Sequence, residues 1–369
     1  MRSCLALAFG VALIAGCATS QMGSVAPTLP ATTAGGELAI SGVRVEPKTL
    51  DLSQPRAGAL VSFQLSDTAD IWLEIVDDEG RLVRRTEPEP VEFGRRSLGW
   101  NGRADDDTPV PNGVYRYVIH AKAPDGREAV YNPSTETGGE ELTARNFTFD
   151  RPTATLGWVM PKAGRVRLRI GLKGFPHLRT LLDWQPMEAG AQQLAWDGLD
   201  ASGLIRAIDH PELSLNLAAF ALPDNTIIIR GSQSSIGHRQ WKTLYAPNVH
   251  PSGYFHAKHP RAECREGIVR VEFPETFRKD AQGRVIVRGK IPVRVTLEGP
   301  TAARFVNQRF EVVLFEDLIR LFEEEQSLNP YTFLWDTTRL TPGEHLLTVD
   351  ILSYDDHYAV ATLPILVER

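Results

Sequence analysis

The side chains best suited to bind a metal are concentrated in residues 238–264. This stretch contains four of the nine histidines and one cysteine: His238, His250, His256, His259 and Cys264. Imidazole and thiolate groups suit copper and zinc, and two of the histidines lie three positions apart, so they can share one face of a turn. The pattern makes His250, His256, His259 and Cys264 candidate ligands of copper or zinc, or residues that face the haem of a partner.

The same stretch has a structural interpretation that needs no cofactor. Its spacing matches no established metal motif, and Trp241, Tyr245, Tyr254 and Phe255 need a surface to pack on. In this interpretation the stretch is an ordered connector that fixes the angle between two domains, and Cys264 is a small buried apolar residue. Both interpretations are open on the sequence.

Other polar groups are typical of turns. Asp105–Asp107 and Asp197–Asp200 are acidic, but they lack the alternating ligands of a calcium loop, and β-turns favour Asp. Asp355–His357 is expected to be the turn between the last two strands. The chain has no Gly-x-Ser-x-Gly, His-Glu-x-x-His or phosphate-binding glycine loop. We therefore expect no enzyme.

The N-terminus has the pattern of a secretory signal. One positive charge, Arg2, precedes the apolar run Cys4–Ala15, which is too short for a permanent membrane span. The run ends in Leu13–Cys17, which resembles the lipobox of bacterial lipoproteins. That resemblance implies cleavage before Cys17 and acylation of its thiol. Ala18, which is not Asp, implies the outer membrane by the same resemblance.

Composition narrows the class of protein. With 369 residues the chain is long enough for two or three domains, and a net charge of −6 makes a nucleic-acid partner unexpected. Residues 18–36 are rich in Ala, Thr, Ser, Pro and Gly, carry no charge and predict a flexible tether. If Cys4 leaves with the signal and Cys17 carries lipid, only Cys264 remains, so no internal disulfide is expected.

Three similar units recur about a hundred residues apart. Each contains alternating strands, a tryptophan followed by a polar turn, and then another strand. The tryptophans are Trp100, Trp196 and Trp335, and we expect each to fill the core between the two sheets of a separate sandwich.

These units carry a family resemblance. Trp100-Asn101-Gly102 and Trp196-Asp197-Gly198 resemble the Ig-like domain of the flagellar hook-capping protein, and the last unit is similar to another bacterial Ig-like module. The resemblance implies an all-β fold of tandem Ig-like β-sandwiches and does not specify a function. The second unit departs from the pattern at Pro211–Leu215, where Gly-x-Tyr is expected, so its closing strand is the least secure.

One segment, 312–322, fits two structures. Phe315, Leu318, Ile319 and Phe322 have helical spacing, yet the surrounding residues also fit two strands joined at Glu316-Asp317. We favour the hairpin, because the similar Ig-like modules have one here.

The sequence thus predicts a non-enzymatic, lipid-anchored structural or interaction protein of the bacterial outer membrane. It would face the periplasm or the cell surface and present Ig-like domains to a protein partner. The alternative is a metal-binding or redox accessory lipoprotein that serves an exported cytochrome or copper protein. The expected segments are a signal peptide (1–16), an anchor and tether (17–36), Ig-like domains (37–148, 149–232 and 267–369) and a His-rich connector (233–266).

The metal interpretation makes a direct prediction for the signal-free protein. It should bind copper or zinc with a Kd below roughly tens of micromolar in calorimetry, and a variant with His250, His256 and His259 all changed to Ala should lose that binding. Absent binding in the wild type, or equal binding in the variant, would leave the structural interpretation alone.

Overall fold

Alternation of apolar and polar residues accounts for many of the strands. In Ala59–Leu65 every second side chain, beginning with Ala59, is buried, as expected for an extended chain with one face on a core. The computed structural model describes residues 36–78, 80–174, 176–234, 266–274, 277–299, 302, 309–353 and 358–368. Leu38–Arg369 form one compact unit that contains three β-sandwiches.

The first sandwich encloses a core that includes Trp100. A three-stranded sheet has the order β1-β3-β7, and in the larger sheet β8 pairs with β4, which pairs with β5 and β6. The first nine strands are β1 (Ile40–Glu46), β2 (Thr49–Asp51), β3 (Ala59–Leu65), β4 (Ala69–Asp77), β5 (Leu82–Arg85), β6 (Glu89–Val91), β7 (Gly94–Trp100), β8 (Gly113–Lys122) and β9 (Glu128–Tyr131).

The last strand of the first sandwich is divided into two pieces that are far apart in the sequence. β9 pairs antiparallel with residues 119–122 of β8. A later strand, Thr226–Arg230, pairs antiparallel with residues 113–116 of β8 and parallel with β2. Both pieces therefore run in one direction along the same edge of β8. Residues 132–225, which contain the second sandwich, are inserted between them.

The two ends of this insertion are held together by buried polar groups. Asn225 donates from Nδ2 to Tyr117 O at 2.7 Å, and its backbone carbonyl accepts from Tyr117 N–H at 3.1 Å. The same Nδ2 lies 3.4 Å from Asn132 Oδ1, which also accepts from the Ser134 hydroxyl at 2.6 Å. Asn225 is fully buried, so these bonds are shielded from water and fix the point where the chain leaves and re-enters the first sandwich.

The second sandwich has two three-stranded sheets, in the orders β10-β11-β14 and β13-β12-β15. The closing strand of this unit, which the sequence predicts least clearly, is present, because Leu213–Leu215 form the start of β15. The strands are β10 (Arg145–Asp150), β11 (Thr155–Met160), β12 (Gly164–Leu172), β13 (His177–Met187), β14 (Gly190–Ala195) and β15 (Leu213–Ala221).

The end of the second domain differs from the expected range of 149–232. The strand β16 (Thr226–Arg230) belongs to the larger sheet of the first sandwich. Its residues Ile227 and Ile229 are buried in the core of the first sandwich. A continuous apolar run predicts a buried strand, but it does not specify which core buries it.

The third sandwich pairs a three-stranded sheet, β17-β19-β22, with a five-stranded sheet, β18-β24-β23-β20-β21. The hairpin prediction for 312–322 is confirmed, because β20 and β21 pair antiparallel, and the helical alternative is wrong. The strands are β17 (Ile268–Glu272), β18 (Val285–Val287), β19 (Lys290–Glu298), β20 (Phe310–Glu316), β21 (Ile319–Ser327), β22 (Tyr331–Asp336), β23 (Gly343–Ser353) and β24 (Tyr358–Val367).

The tryptophans of the repeat lie in three separate cores. Trp100, Trp196 and Trp335 are all buried, one in each sandwich. In the first two sandwiches the indole N–H makes the same local bond, to the carbonyl three residues on, at 2.8 Å to Arg103 and 2.9 Å to Leu199.

The turns that follow these two tryptophans are also alike. The Asn101 and Asp197 side chains each accept from the N–H two residues on, at 3.2 and 3.0 Å. Gly102 and Gly198 follow with φ of 74° and 80°, a left-handed backbone that glycine adopts without strain. The turn geometry therefore explains why Trp-Asx-Gly recurs in the sequence.

The insertion predicts that the first sandwich depends on the second. Trp196→Ala should destabilise the second sandwich by about 3–5 kcal/mol. Once that sandwich unfolds, the insertion becomes a loop of about 90 residues, whose closure costs the first sandwich roughly 4 kcal/mol. Hydrogen exchange should therefore show lost protection in β8 and β16 as well as in β12. Trp335→Ala is the matched control, since it removes the same side chain from a core outside the insertion. Equal protection of β16 in both variants would contradict the prediction.

Candidate functional site

The candidate metal ligands and the candidate lipidation site lie outside the described residues. These are Cys17, His250, His256, His259 and Cys264. In the part of the chain that the structure describes, no three His, Cys, Asp or Glu side chains converge as a metal site would require. No helix in that part has the length and apolarity of a bilayer-spanning segment.

The carboxylates of the acidic turn at 197–200 make local hydrogen bonds. Asp197 accepts from Arg179 at 2.8 Å, in addition to its bond with the backbone of the turn. Asp200 is buried and accepts from Ile205 N–H at 2.9 Å and from the Ser202 hydroxyl at 2.6 Å. These carboxylates stabilise the turns on which they lie.

The unusual charged feature of the described residues is a row of three arginines on β12. Arg165, Arg167 and Arg169 alternate with core residues, so their side chains lie on the face of the β13-β12-β15 sheet that points away from the second core. They are nevertheless only 7, 9 and 7% exposed. We call these three residues the arginine row. Arginines on an outward face are usually solvated, so their burial indicates that other parts of the protein cover this face.

The arginine row contacts all three sandwiches. Arg165 forms an ion pair with Asp78, in the turn after β4 of the first sandwich. The guanidinium of Arg167 lies 4.9 Å from the ring centroid of Trp184, within the second sandwich. That of Arg169 lies 3.6 Å from the ring of Tyr358, in the third. Such cation–π contacts gain strength when both groups are shielded from water.

Burial lowers the pKa of an arginine on this face. Burial and the neighbouring positive charge of Arg167 lower the pKa of Arg169 to about 10. Arg169 therefore stays charged at neutral pH, but its charge is held in the protein at a cost in desolvation. The negative groups and the aromatic ring around it offset part of that cost.

A second polar contact joins the second and third sandwiches. The backbone N–H of His177 donates to Asp350 Oδ2 at 2.6 Å. The His177 ring lies 2.9 Å from Glu266 Oε1, through Nε2, and packs edge-on against Tyr358 at 5.4 Å between centroids. Asp350 is completely buried, and that burial raises its pKa well above the usual value. The carboxyl group of Asp350 is therefore biased toward its neutral form.

An apolar contact accompanies the polar ones. The turn between β20 and β21 has φ of 49° at Asp317 and 69° at Leu318, a left-handed backbone that is strained for leucine. Leu318 and Leu346 pack against the core of the second sandwich. Asp317 stabilises the turn by accepting from Leu346 N–H at 2.9 Å and by pairing with His345 Nδ1 at 2.7 Å.

The same turn favours the protonated form of His345. Burial alone would lower its pKa, but its bonds to Thr341 O and to the Asp317 carboxylate outweigh burial, so the pKa is raised. The two ring nitrogens lie within 2.8 Å of these oxygens. Docking of the third sandwich therefore combines a strained apolar turn with a supporting ion pair.

A shallow pocket of about 270 Å³ opens beside the arginine row. Its wall includes Arg167, Arg169, Ser214, Asn216 and Tyr358. These groups can hold a polar or anionic side chain by hydrogen bonding and charge. The sequence contained a signal for this surface, because Arg-Val-Arg-Leu-Arg in a strand places three arginines on one face. That signal was missed because strand arginines ordinarily face solvent.

The architecture defines the described residues as tandem Ig-like β-sandwich modules. The family model of the FlgD Ig-like domain matches residues 48–125, within the first sandwich. No curated protein matches the chain.

Several solved structures are similar at low identity. FlgD from P. aeruginosa is 21% identical with a TM-score of 0.21, over 26% of this chain and 69% of that one. Fibronectin(III)-like modules of Clostridium thermocellum CbhA are 9% identical with a TM-score of 0.19, over 88% and 94%. An endo-β-1,4-mannanase from Thermotoga petrophila is 18% identical with a TM-score of 0.22; the match covers 28% of this chain and 20% of the mannanase chain.

The buried carboxyl group predicts that the stability of the third sandwich depends on pH. The pKa of Asp350 is raised in the folded state above the reference value of 3.8, so its contribution to stability is lost as pH rises above that reference value. Asp350→Asn keeps an acceptor for His177 N–H and removes the titration. The variant should gain stability relative to the wild type, in urea unfolding, as pH rises from about 4 to about 8.

Asp350→Ala is the control for the hydrogen bond. It leaves His177 N–H without its acceptor and should cost about 1–3 kcal/mol. A stability difference between Asp350→Asn and the wild type that does not change with pH would contradict a raised pKa of Asp350 in the folded state.

Proposed function

We propose that this protein is a non-enzymatic, lipid-anchored structural or interaction protein of the bacterial envelope. Acylation of Cys17 anchors it to the outer membrane, and the sandwiches are presented to a protein partner. The observation that carries the proposal is that buried ionisable groups make contacts between the sandwiches. Arg165, Arg169, His177 and Asp350 join one sandwich to another.

This use of charge fits a scaffold better than a catalyst. A catalytic site needs titratable groups aimed at a space where a substrate can bind. Here Arg165, Arg169, His177 and Asp350 each contact another sandwich of the same chain. The match of residues 48–125 to an Ig-like domain family supports a structural or interaction role, and the Leu13–Cys17 sequence supports the lipid anchor.

The anchor predicts a clear difference between two cysteine variants. Cys17→Ser should remove the acylation site and leave an unprocessed precursor or a protein that a carbonate wash releases, because a lipid chain supplies membrane affinity. Cys4→Ser is the matched control, since that residue lies in the segment expected to be cleaved. It should fractionate with the membrane like the wild type.

The same strains test the partner. Cross-linking in cells should give a discrete adduct with the wild type and with Cys4→Ser, and much less of it with Cys17→Ser, because the released protein is no longer held beside its partner. Full retention of Cys17→Ser on washed outer membranes would refute the anchor. Absence of any adduct in all strains would refute the interaction role.

A further inference from the structure

In the part of the chain that the structure describes, one edge of the second sandwich lacks the strand that closes the other two. In the first sandwich β8 is covered by β9 and β16, and in the third β23 is covered by β24. The equivalent strand of the second sandwich is β15. Within the described residues, its outer side has partners at its two ends: Leu213 N–H donates to His210 O at 3.2 Å, and residues 139–142 bond to it near its C-terminal end. Leu213–Ala218 therefore form an edge of six residues that no other described strand covers.

The backbone of this edge is oriented to accept a strand. On the covered part, Ala219 O accepts from Leu142 N–H at 2.8 Å, which shows that the backbone groups of Ala219 point outward. Those groups alternate between the two sides of a strand. The N–H and C=O groups of Leu215 and Leu217 consequently point to the open side, while the residues between them bond to β12.

The side chains add an apolar surface to this edge. Leu213, Leu215 and Leu217 pack against the second core but stay only partly buried. On the adjacent strand, Leu168 and Ile170 are fully buried opposite Leu217 and Leu215. The core is thus closed toward β12 and incompletely covered at the edge. An added strand would cover it with every second side chain.

The opposite face of the edge is polar. Ser214 and Asn216 lie on the face that carries the arginine row, and Asn216 is exposed. Asn216 pairs with Arg169 across the sheet, and Ala218 pairs with Arg167. The remaining side chains of an added strand would therefore lie near Asn216, beside the pocket surface that Arg167 and Arg169 line. Negative side chains complement that surface.

We propose that Leu213–Ala218 binds an extended segment of a partner protein, in which apolar residues alternate with acidic ones, as an antiparallel strand. The proposal deepens the proposed function, on which it rests, by assigning the surface and the chemistry of the partner. The apolar residues cover Leu215 and Leu217. The acidic residues lie beside Asn216, facing the arginine row. The orientation is that of β16 and β24 in the other sandwiches.

Two short probes test the proposal on the purified full chain in detergent. They are labelled, end-capped heptapeptides of alternating Val and Glu or alternating Val and Lys. In fluorescence anisotropy the Glu peptide should bind about tenfold more tightly than the Lys peptide, a difference of about 1.4 kcal/mol. Similar affinities for the two peptides, or no binding of the Glu peptide, would overturn the proposal.

Substitutions on the edge locate the binding. Leu215→Pro removes an N–H that points to the open side, and proline is tolerated at such positions on edge strands. This substitution should weaken binding of the Glu peptide about tenfold. Asn216→Glu and Asn216→Lys are a matched pair at an exposed site. The first should weaken binding of the Glu peptide, and the second should strengthen it. If Leu215→Pro fails to fold by circular dichroism, the Asn216 pair decides. Indifference to the charge at 216 would overturn the proposal.

Sedimentation of the full chain without peptide tests a second copy as the occupant. A concentration-dependent dimer that Asn216→Glu and Asn216→Lys shift in opposite directions would assign the edge to self-association and overturn the heterologous partner. A monomer supports the proposal. Release of the wild type from membranes would instead refute the anchor, and peptide binding by the purified chain does not depend on that result.

Discussion

The first sandwich is completed by two short strand segments that are separated by an entire domain. β9 and β16 together occupy one edge of β8, and the chain between them leaves and returns at Asn132 and Asn225. Because both ends of the insertion are tied to the same edge, the second sandwich is attached by two chain connections. This double attachment places β12 where Arg165 reaches Asp78. The contacts of the second sandwich with the third start from the same face.

The contacts between sandwiches include several buried polar groups. A guanidinium group tolerates such sites because its charge is delocalised and its plane can stack on aromatic rings, as Arg169 does on Tyr358. Asp350 is accommodated in another way, because burial raises its pKa well above the usual value. The apolar contact of Leu318 with the second core supplies burial that the polar groups do not. Polar groups fix the orientation of the sandwiches, since each hydrogen bond requires a particular geometry.

The sequence predicted local structure well and long-range pairing poorly. Trp-Asx-Gly at 100–102 and 196–198 identified two turns because the side-chain and glycine requirements are local. The 312–322 hairpin was predicted from resemblance, against a helical spacing that the structure does not follow. The strand Thr226–Arg230 was recognisable as apolar, but its assignment to the first sheet depends on a partner more than a hundred residues earlier. Neighbouring elements usually pair, and an insertion violates that expectation without a local signal.

The divided strand also sets an order of events during synthesis. A chain emerges from its N-terminus, and domains usually fold in that order. Here the core of the first sandwich lacks Ile227 and Ile229 until the chain has been made past the second sandwich. The second sandwich, which needs only residues between 139 and 222 for its two sheets and their pairing, is complete earlier. The first sandwich therefore completes its fold after the inserted sandwich, which brings the last strand segment of the first sandwich into place.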